Sequence, residues 1–433
     1  MGDTRSVVIG SGPAGLIAAK ELLSRGDAVT ILEALPVVGG RVTPLALDGL
    51  VLDAGAESFA TRGGAVAGLC AELGLSVEPP AAAPAWVVAP GRAYQLPATG
   101  WLGIPTRPLD KDVRRVIGSA AAVHASLEPH RPLGTVPDDI TVGAIVRSRL
   151  GDEVADSLVA PVLQGVYSRH VDALRLADID AALPKQLRDS GSLLHLAEAK
   201  RALAPAGSAV MGIRGGMWQL TEALAAAVVE AGGRIVTSAA AERLTFSEGA
   251  WHITAGGGRV SADRVVLATP VPEAARLVPA LTANAEADDA SSERGVVVVV
   301  TLVLDAPQLD GAPRGTGVLA IEGVTRAKAL THSTAKWPWL AATAGKRHVV
   351  RLSYSVADPA EDVASGALDD AARLLGVELH PDQVRAAAAA RWPDAAPAAV
   401  ADLNPASGLY LVGSAAGLTG LANIAAADFP WDA

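Results

Sequence analysis

Residues 7–15 read Val7-Val8-Ile9-Gly10-Ser11-Gly12-Pro13-Ala14-Gly15, and after an Ala/Leu-rich stretch the chain continues Val29-Thr30-Ile31-Leu32-Glu33. The pattern is strand, glycine turn, helix, strand and terminal acid. Each part has a mechanical reason. Gly10 permits the tight turn, Gly12 lets backbone approach a pyrophosphate, and Gly15 lets helix and strand pack closely. Pro13 and Ala14 stand at the entry of a helix whose amide end faces the phosphates. Glu33 lies near the ~20-residue distance at which such turns place an acid for a ribose hydroxyl. The stretch predicts a doubly wound α/β unit that binds a dinucleotide.

The residues beyond this acid narrow the ligand. Pro36-Val37-Val38-Gly39-Gly40-Arg41 comes directly after it, and Val51-Leu52-Asp53-Ala54-Gly55-Ala56-Glu57-Ser58-Phe59 lies one short hairpin later. Two more glycines and Arg41 beside a pyrophosphate suit a large cofactor that the chain wraps, because Arg offers phosphate a planar donor fork. This run resembles the FAD-binding N-terminus of the amine oxidase, phytoene desaturase and protoporphyrinogen oxidase superfamily. The resemblance implies FAD, held by Gly39, Gly40 and Arg41, by Gly55, Ala56, Glu57 and Ser58, and by later segments at Ala268, Thr269, Gly413, Thr419 and Leu421.

Bulk properties suit a globular flavoenzyme. A chain of 433 residues exceeds one ordinary core, and 50% hydrophobic with 19% charged residues is not a disordered composition. A net charge of −10 argues against general nucleic-acid binding. Cys70 is the single cysteine, in a helical pattern that suggests core packing, so no disulfide framework is expected and a reducing, cytoplasmic setting is. The N-terminus enters the fold at once, with no signal peptide expected. The eight histidines show no HxxxH or HxH spacing, and no metal site is expected.

Gly408 to Ala427 carries no charge and imitates a membrane span. Its glycines, with Ser414, Thr419 and Asn423, predict strand, turn and helix instead, leaving at most peripheral membrane contact. Residues from about 111 to 200 are helical in pattern, with helices expected at 114–127, 142–150 and 152–163. Strands are expected at 234–236, 251–254, 264–267, 295–304, 349–355 and 409–412, and a helix at 221–231. The expected organisation is a discontinuous FAD-binding domain from residues 1–80, 205–275 and 398–433. A mixed α+β substrate domain comes from 81–110 and 276–397, and a helical cap from 111–204.

Further motifs narrow the resemblance. Pro161-Val162-Leu163-Gln164-Gly165-Val166-Tyr167, Arg214-Gly215-Gly216-Met217-Trp218-Gln219-Leu220, Ser333-Thr334-Ala335-Lys336-Trp337 and Arg391-Trp392-Pro393 occur in this order. They look like segments of bacterial protoporphyrinogen and coproporphyrinogen oxidases, particularly the coproporphyrinogen type of Gram-positive bacteria. The resemblance implies oxidation of a porphyrinogen to a porphyrin in haem biosynthesis. Six electrons leave in pairs, a meso carbon gives hydride to the flavin, and oxygen regenerates it. The flavin is the electron sink, so the protein supplies orientation, a dry cavity and charge matching, and no catalytic base stands out. Buried propionates need cations; the candidates are Arg62, Lys336 and Arg169, with Tyr167 lining the cavity. A transient contact with a ferrochelatase that collects product belongs to the same picture.

One stretch departs from the family. Between Pro393 and Leu409 the chain lacks the Tyr and the Gly-His pair that the family carries there. Two alternatives therefore stay open: a flavin oxidase acting on an amine or polyene, and a shortened, non-catalytic relative that binds FAD weakly. Amine oxidases want an aromatic cage, and aromatic residues make up only 3% of this chain.

Overall fold

The computed structural model describes residues 4–98, 100–167, 169–203, 210–279, 295–358, 360–393, 408–429 and 431. The departure noted between Pro393 and Leu409 lies outside the described residues.

A five-stranded parallel sheet forms the first layer, in the order Arg234–Val236, Ala28–Leu32, Arg5–Ile9, Arg264–Leu267, Leu409–Leu411. Its strands come from three distant parts of the chain. Alternation sets its two faces. Val8, Ile31 and Val266 pack against helices Pro13–Ser24 and Trp218–Glu230, through Leu16, Ala19, Leu22, Leu220, Leu224 and Val228. Val7, Ile9, Leu32, Val265 and Leu267 pack the other way, onto Ile253 and Ala255 of an antiparallel meander of strands Ala241–Ser247, Ala250–Ala255 and Gly258–Ala262.

A seven-stranded sheet forms the second layer, in the order Val384–Pro393, Val296–Leu304, His348–Val356, Ala329–His332, Gly317–Ala320, Trp86–Ala89, Arg92–Gln95. All neighbours are antiparallel except Gly317–Ala320 with Trp86–Ala89, so the sheet is mixed. Helix Ala367–Leu375 covers one face through Ala371, Leu374 and Leu375. On the opposite face Val303 and Val349 meet Trp337, Leu340 and the hairpin Pro44–Leu47/Leu50–Asp53 through Leu50 and Leu52. That hairpin leaves the nucleotide-type turn and docks on the second sheet. It therefore delivers residues 53–57 to the boundary between the layers.

The region from Lys111 to Ala202 is helical around Ile145, Leu150, Leu158, Leu163 and Leu187. The helix expected at 114–127 is split in two, Lys111–Ile117 and Ser119–Ser126, because Gly118 takes φ 82° between them. The helix expected at 152–163 carries a π-helical turn at Ala155–Val159 and runs on to Tyr167. Pro161 explains the turn: it has no N–H to give the carbonyl of Ser157 four residues back. Tyr94 Oη donates to that carbonyl at 2.8 Å instead. Glu128, fully buried, accepts from Arg149 Nε at 2.8 Å and Leu193 N at 3.0 Å and so ties three helical segments together. Cys70 is also fully buried, and burial pushes its thiol up to about 11.

The uncharged segment from Gly408 forms the strand Leu409–Leu411, a short turn Gly413–Ala416 and the helix Leu421–Ala425. No helix among the described residues is long and apolar enough to cross a membrane.

Candidate active site

The glycine turn separates into positions fixed by protein packing and one that faces space. Gly10 has φ +102°, and a Cβ there would lie 2.8 Å from the carbonyl oxygen of Ala268. A Cβ on Gly15 would lie 2.0 Å from the carbonyl oxygen of Gly10. Neither residue can be larger without moving backbone. At Gly12 a Cβ would meet nothing within 4 Å. Gly12 is also the N-cap of helix Pro13–Ser24, with Pro13 in its first turn. An open space at a helix amide end is a cradle for an anionic group such as phosphate.

The cradle's walls are the other predicted segments. Gly39 N donates to Ser11 O at 3.0 Å, and a Cβ on Gly40 would stand 3.4 Å from the Gly12 Cα. Gly413 lies over the start of the helix, where a Cβ would come within 2.6 Å of the Ala14 Cβ. Ala268 N donates to Ile9 O at 2.9 Å, and Thr269 is buried with no partner for its Oγ1 among the described residues. Leu421 opens the last helix and packs into the same core as Ala14, while Thr419 is exposed and its carbonyl accepts from Asn423 Nδ2 at 2.8 Å.

Glu33 is buried at the end of its strand, clasped to the turn. Ser11 donates to Oε2 from its backbone N at 2.9 Å and from its Oγ at 2.6 Å, and Leu35 N donates to Oε1 at 2.8 Å. A carboxylate offers about four acceptor directions, so capacity for one more donor, such as a ribose hydroxyl, remains.

A second cluster sits where the hairpin meets the seven-stranded sheet. Glu57 Oε1 accepts from Lys336 Nζ at 2.5 Å; Oε2 accepts from Ser333 Oγ at 2.9 Å and from Arg351 at 3.0 Å. Burial raises the pKa of Glu57, but Lys336 and Arg351 outweigh it and hold the carboxyl down at about 2. Arg351 also donates to the carbonyls of Gly55 at 2.5 Å and Ala54 at 3.4 Å. Ala56 N donates to Arg41 O at 3.1 Å, and a Cβ on Gly55 would lie 2.1 Å from that same oxygen. Arg41 itself is exposed, and Ser58 is half-buried between the hairpin and strand Phe59–Ala60.

Asp53 joins the hairpin to helix Trp218–Glu230. Its carboxylate accepts from Met217 N at 3.1 Å and Trp218 N at 2.9 Å, capping helix Trp218–Glu230. Burial pushes its pKa up to about 6, against the pull of Arg351 and the two amides.

The substrate candidates fall into different surroundings. Arg62 is exposed and donates to Asn423 Oδ1 at 3.0 Å, which joins the end of the 53–62 run to the C-terminal helix. Lys336 carries the ion pair with Glu57 and is largely buried. Arg169 pairs with Asp178 at 3.0 Å and donates to Ala173 O at 2.7 Å, so its charge is balanced within the helical region. Tyr167 ends helix Ala160–Tyr167, and its side chain lies outside the described residues.

Asp53, Arg351, Ser11 and Ser333 were not singled out from sequence. Arg351 did leave a signal: one charge inside the apolar strand run Val349-Val350-Arg351-Leu352. Such a residue, only 7% exposed, needs a carboxylate partner. Asp53 left a weaker one, as an acid ending a strand just before a glycine.

The residues present fit FAD. Besides the open face at Gly12, three buried N–H donors on residues around segment 53–57 have no partner among the described residues: Arg351 Nε, Trp218 Nε1 and Trp392 Nε1. The Trp392 ring stands 3.4 Å from where a Gly55 Cβ would be. Donors without acceptors suit a ligand rich in carbonyl and ring-nitrogen acceptors, as a flavin is.

Comparison with known proteins agrees. The family described as flavin containing amine oxidoreductase matches residues 13–418. The coproporphyrinogen III oxidase of Mycobacterium leprae (strain TN) is 30% identical over 406 residues, covering 90% of this chain and 87% of its own. That of Bacillus subtilis (strain 168) is 24% identical over 423 residues, covering 92% and 87%. Among solved structures, a protein from Exiguobacterium sp. 255-15 assigned as a protoporphyrinogen oxidase superposes with a TM-score of 0.79 at 23% identity, covering 98% of this chain and 97% of that one. Putrescine oxidase superposes at 0.65 with 18% identity, covering 98% and 96%; both structural likenesses establish the fold. The chain belongs to the flavin-containing amine oxidoreductase family, with FAD as its cofactor.

Proposed function

We propose that this protein oxidises coproporphyrinogen III to coproporphyrin III in haem biosynthesis, with oxygen as electron acceptor. The observation that carries the proposal is the similarity, over 90% of the chain, to coproporphyrinogen III oxidases. When bound, FAD supplies the two-electron sink. The chain's own residues bind and orient: the Gly12 cradle takes the pyrophosphate, Glu33 the ribose, and the 53–57 segment is braced by Arg351.

In this proposal residues 1–80, 205–275 and 398–433 hold the cofactor. Residues 81–110 and 276–397 form the substrate floor, and 111–204 cover it. Arg62 is the foremost partner for a propionate, since it is exposed and its only described hydrogen bond is to a neutral amide. Lys336 and Arg169 already hold carboxylates and serve the substrate less directly. The site is cytoplasmic in this account, and product passes to a ferrochelatase.

The test is a substrate comparison in air with coproporphyrinogen III, protoporphyrinogen IX and putrescine, following porphyrin fluorescence and peroxide. The tetracarboxylate should react fastest and putrescine not at all. Arg62→Ala should raise KM for coproporphyrinogen III by about one to two decades, the equivalent of losing one charge-assisted contact of ~1.5–3 kcal/mol. Turnover of putrescine with both porphyrinogens inert would replace the proposal with an amine oxidase.

A further inference from the structure

We propose that Ser353 and Thr331 are specificity-determining residues whose hydroxyl oxygens accept hydrogen bonds from the pyrrole N–H groups of a porphyrinogen. The inference rests on the coproporphyrinogen reading above. It adds how the centre of the macrocycle, rather than its propionates, is recognised.

Strand register places the two hydroxyls. In the seven-stranded sheet Thr301, Arg351, Thr331 and Gly317 form one cross-strand row, and Val299, Ser353, Ala329 and Leu319 form the next but one along the strands, on the same face. Both rows therefore look toward the side on which Arg351 meets Glu57. That side has two covers. Arg351 holds the 53–57 segment through the carbonyls of Ala54 and Gly55. Helix Ala160–Tyr167 closes over Leu319, where a Cβ on Gly165 would stand 2.7 Å from the Leu319 Cδ2.

The floor between these covers is not sealed. Ser353, Ala329, Thr331 and Gly317 stay half-buried, although strands His348–Val356 and Ala329–His332 are the third and fourth of seven. On the opposite face of the same two strands Leu330, Val350 and Leu352 are fully buried. Interior strands closed on one face and accessible on the other border an open space. Ala329 and Gly317, beside the two hydroxyls, keep that space free of long side chains.

The hydroxyls of this floor are not used by the protein itself. Neither Ser353 Oγ nor Thr331 Oγ1 hydrogen-bonds to another of the described residues. Thr301 Oγ1, across from Thr331 on the far side of Arg351, is buried with no partner among the described residues. Each hydroxyl offers acceptor lone pairs. A porphyrinogen carries four pyrrole N–H donors on rings joined by saturated bridges, so it can tilt N–H groups out of the mean plane toward such a floor. The porphyrin product keeps two N–H groups, and its flat conjugated ring holds them in plane. Acceptors beneath the ring therefore hold the reduced substrate better than the oxidised product.

The test pairs steady-state kinetics on coproporphyrinogen III with equilibrium binding of coproporphyrin III to the FAD-loaded protein, followed by porphyrin fluorescence. Ser353→Ala/Thr331→Val should raise KM for the porphyrinogen about tenfold, while the Kd for the porphyrin changes less than about twofold and flavin content is kept. Ser353→Thr/Thr331→Ser, which retains both hydroxyls, should return KM to near the wild-type value. Ser353→Ala alone, at a half-buried position, should show about a threefold rise and serves if the double variant is unstable. An unchanged KM in the hydroxyl-free variants, with wild type turning over coproporphyrinogen III, overturns this inference and leaves the coproporphyrinogen reading standing. So does an equal loss for porphyrinogen and porphyrin, the mark of a packing defect. A wild type inert toward coproporphyrinogen III overturns the reading and this inference with it.

Discussion

The glycine turn and the Glu57 cluster hold together the region proposed for the cofactor, by opposite means. In the turn, Gly10 and Gly15, close in sequence, meet through backbone with Ala268 packed against them, and at the one open position, Gly12, an added Cβ would meet nothing within 4 Å. In the cluster, residues 57, 333, 336 and 351 meet through charge, at the boundary of two sheets. The first is a steric device and tolerates no added atom at Gly10 or Gly15. The second is electrostatic, and its strength depends on pH and on every partner being present. Damage at Gly10 or Gly15 should disrupt the fold locally whatever the pH, whereas damage to the cluster should leave a titratable trace.

The largest expected effect is on the steric side. Gly15→Ala places a carbon 2.0 Å from a backbone oxygen, and should cost about 3 kcal/mol or more, with flavin lost. Chemical denaturation and flavin content measure both. A variant as stable and as yellow as wild type would show that the turn is looser than described.

Arg351→Met comes next. It leaves Glu57 with Lys336 and Ser333 alone and frees the carbonyls of Ala54 and Gly55; a loss of about 3 kcal/mol is expected, the scale for breaking a buried pair. A denaturation midpoint equal to wild type would reduce Arg351 to a packing residue.

The pH responses of the two acids should run in opposite directions. Asp53 has a folded pKa raised from 3.8 to about 6, so its protonated form is favoured by folding. Its contribution is full below pH 3.8 and is lost as pH rises through 6. Glu57 is lowered from 4.5 to about 2, so its contribution is present above 4.5 and lost as pH falls through 2. Melting temperatures against Asp53→Asn and Glu57→Gln check the signs. Relative to its variant, wild type should lose ground between pH 4 and 6 in the first comparison and gain it between pH 2 and 4.5 in the second. Each pKa unit corresponds to about 1.4 kcal/mol. Parallel slopes would mean the two carboxyls do not occupy distinct environments.

Gly12→Val should change stability least, by under about 1 kcal/mol, since nothing lies within 4 Å of its Cβ. It should nevertheless purify without flavin. A yellow Gly12→Val protein would move the pyrophosphate elsewhere.

The same contrast explains what the sequence could show. The turn was legible because its parts lie within one strand-turn-helix unit whose spacing is dictated locally. The parallel sheet followed from its apolar strands, and the helix at Val142–Leu150 from its periodicity. Elements shaped by single exceptions were less legible. Gly118 cut one helix, and Pro161 accounts for a π turn whose Ser157 carbonyl accepts from Tyr94, far away in sequence. Lys336 and Glu57 were each noticed, but as separate substrate and cofactor contacts. That they neutralise one another depends on how a hairpin near residue 50 docks on a strand near residue 350, and no local pattern encodes that. Arg351 was visible as a charge within an apolar strand, but its carboxylate partner could not be named before the fold brought Glu57 to it.

The measurement that bears most directly on the central claim is anaerobic mixing of the FAD-loaded protein with coproporphyrinogen III while the flavin absorption band is recorded. The account predicts that the band bleaches on mixing, that admitting oxygen restores it, and that coproporphyrin fluorescence grows with successive cycles. A flavin that stays oxidised under excess coproporphyrinogen III, yet bleaches with putrescine or another reductant, would contradict it.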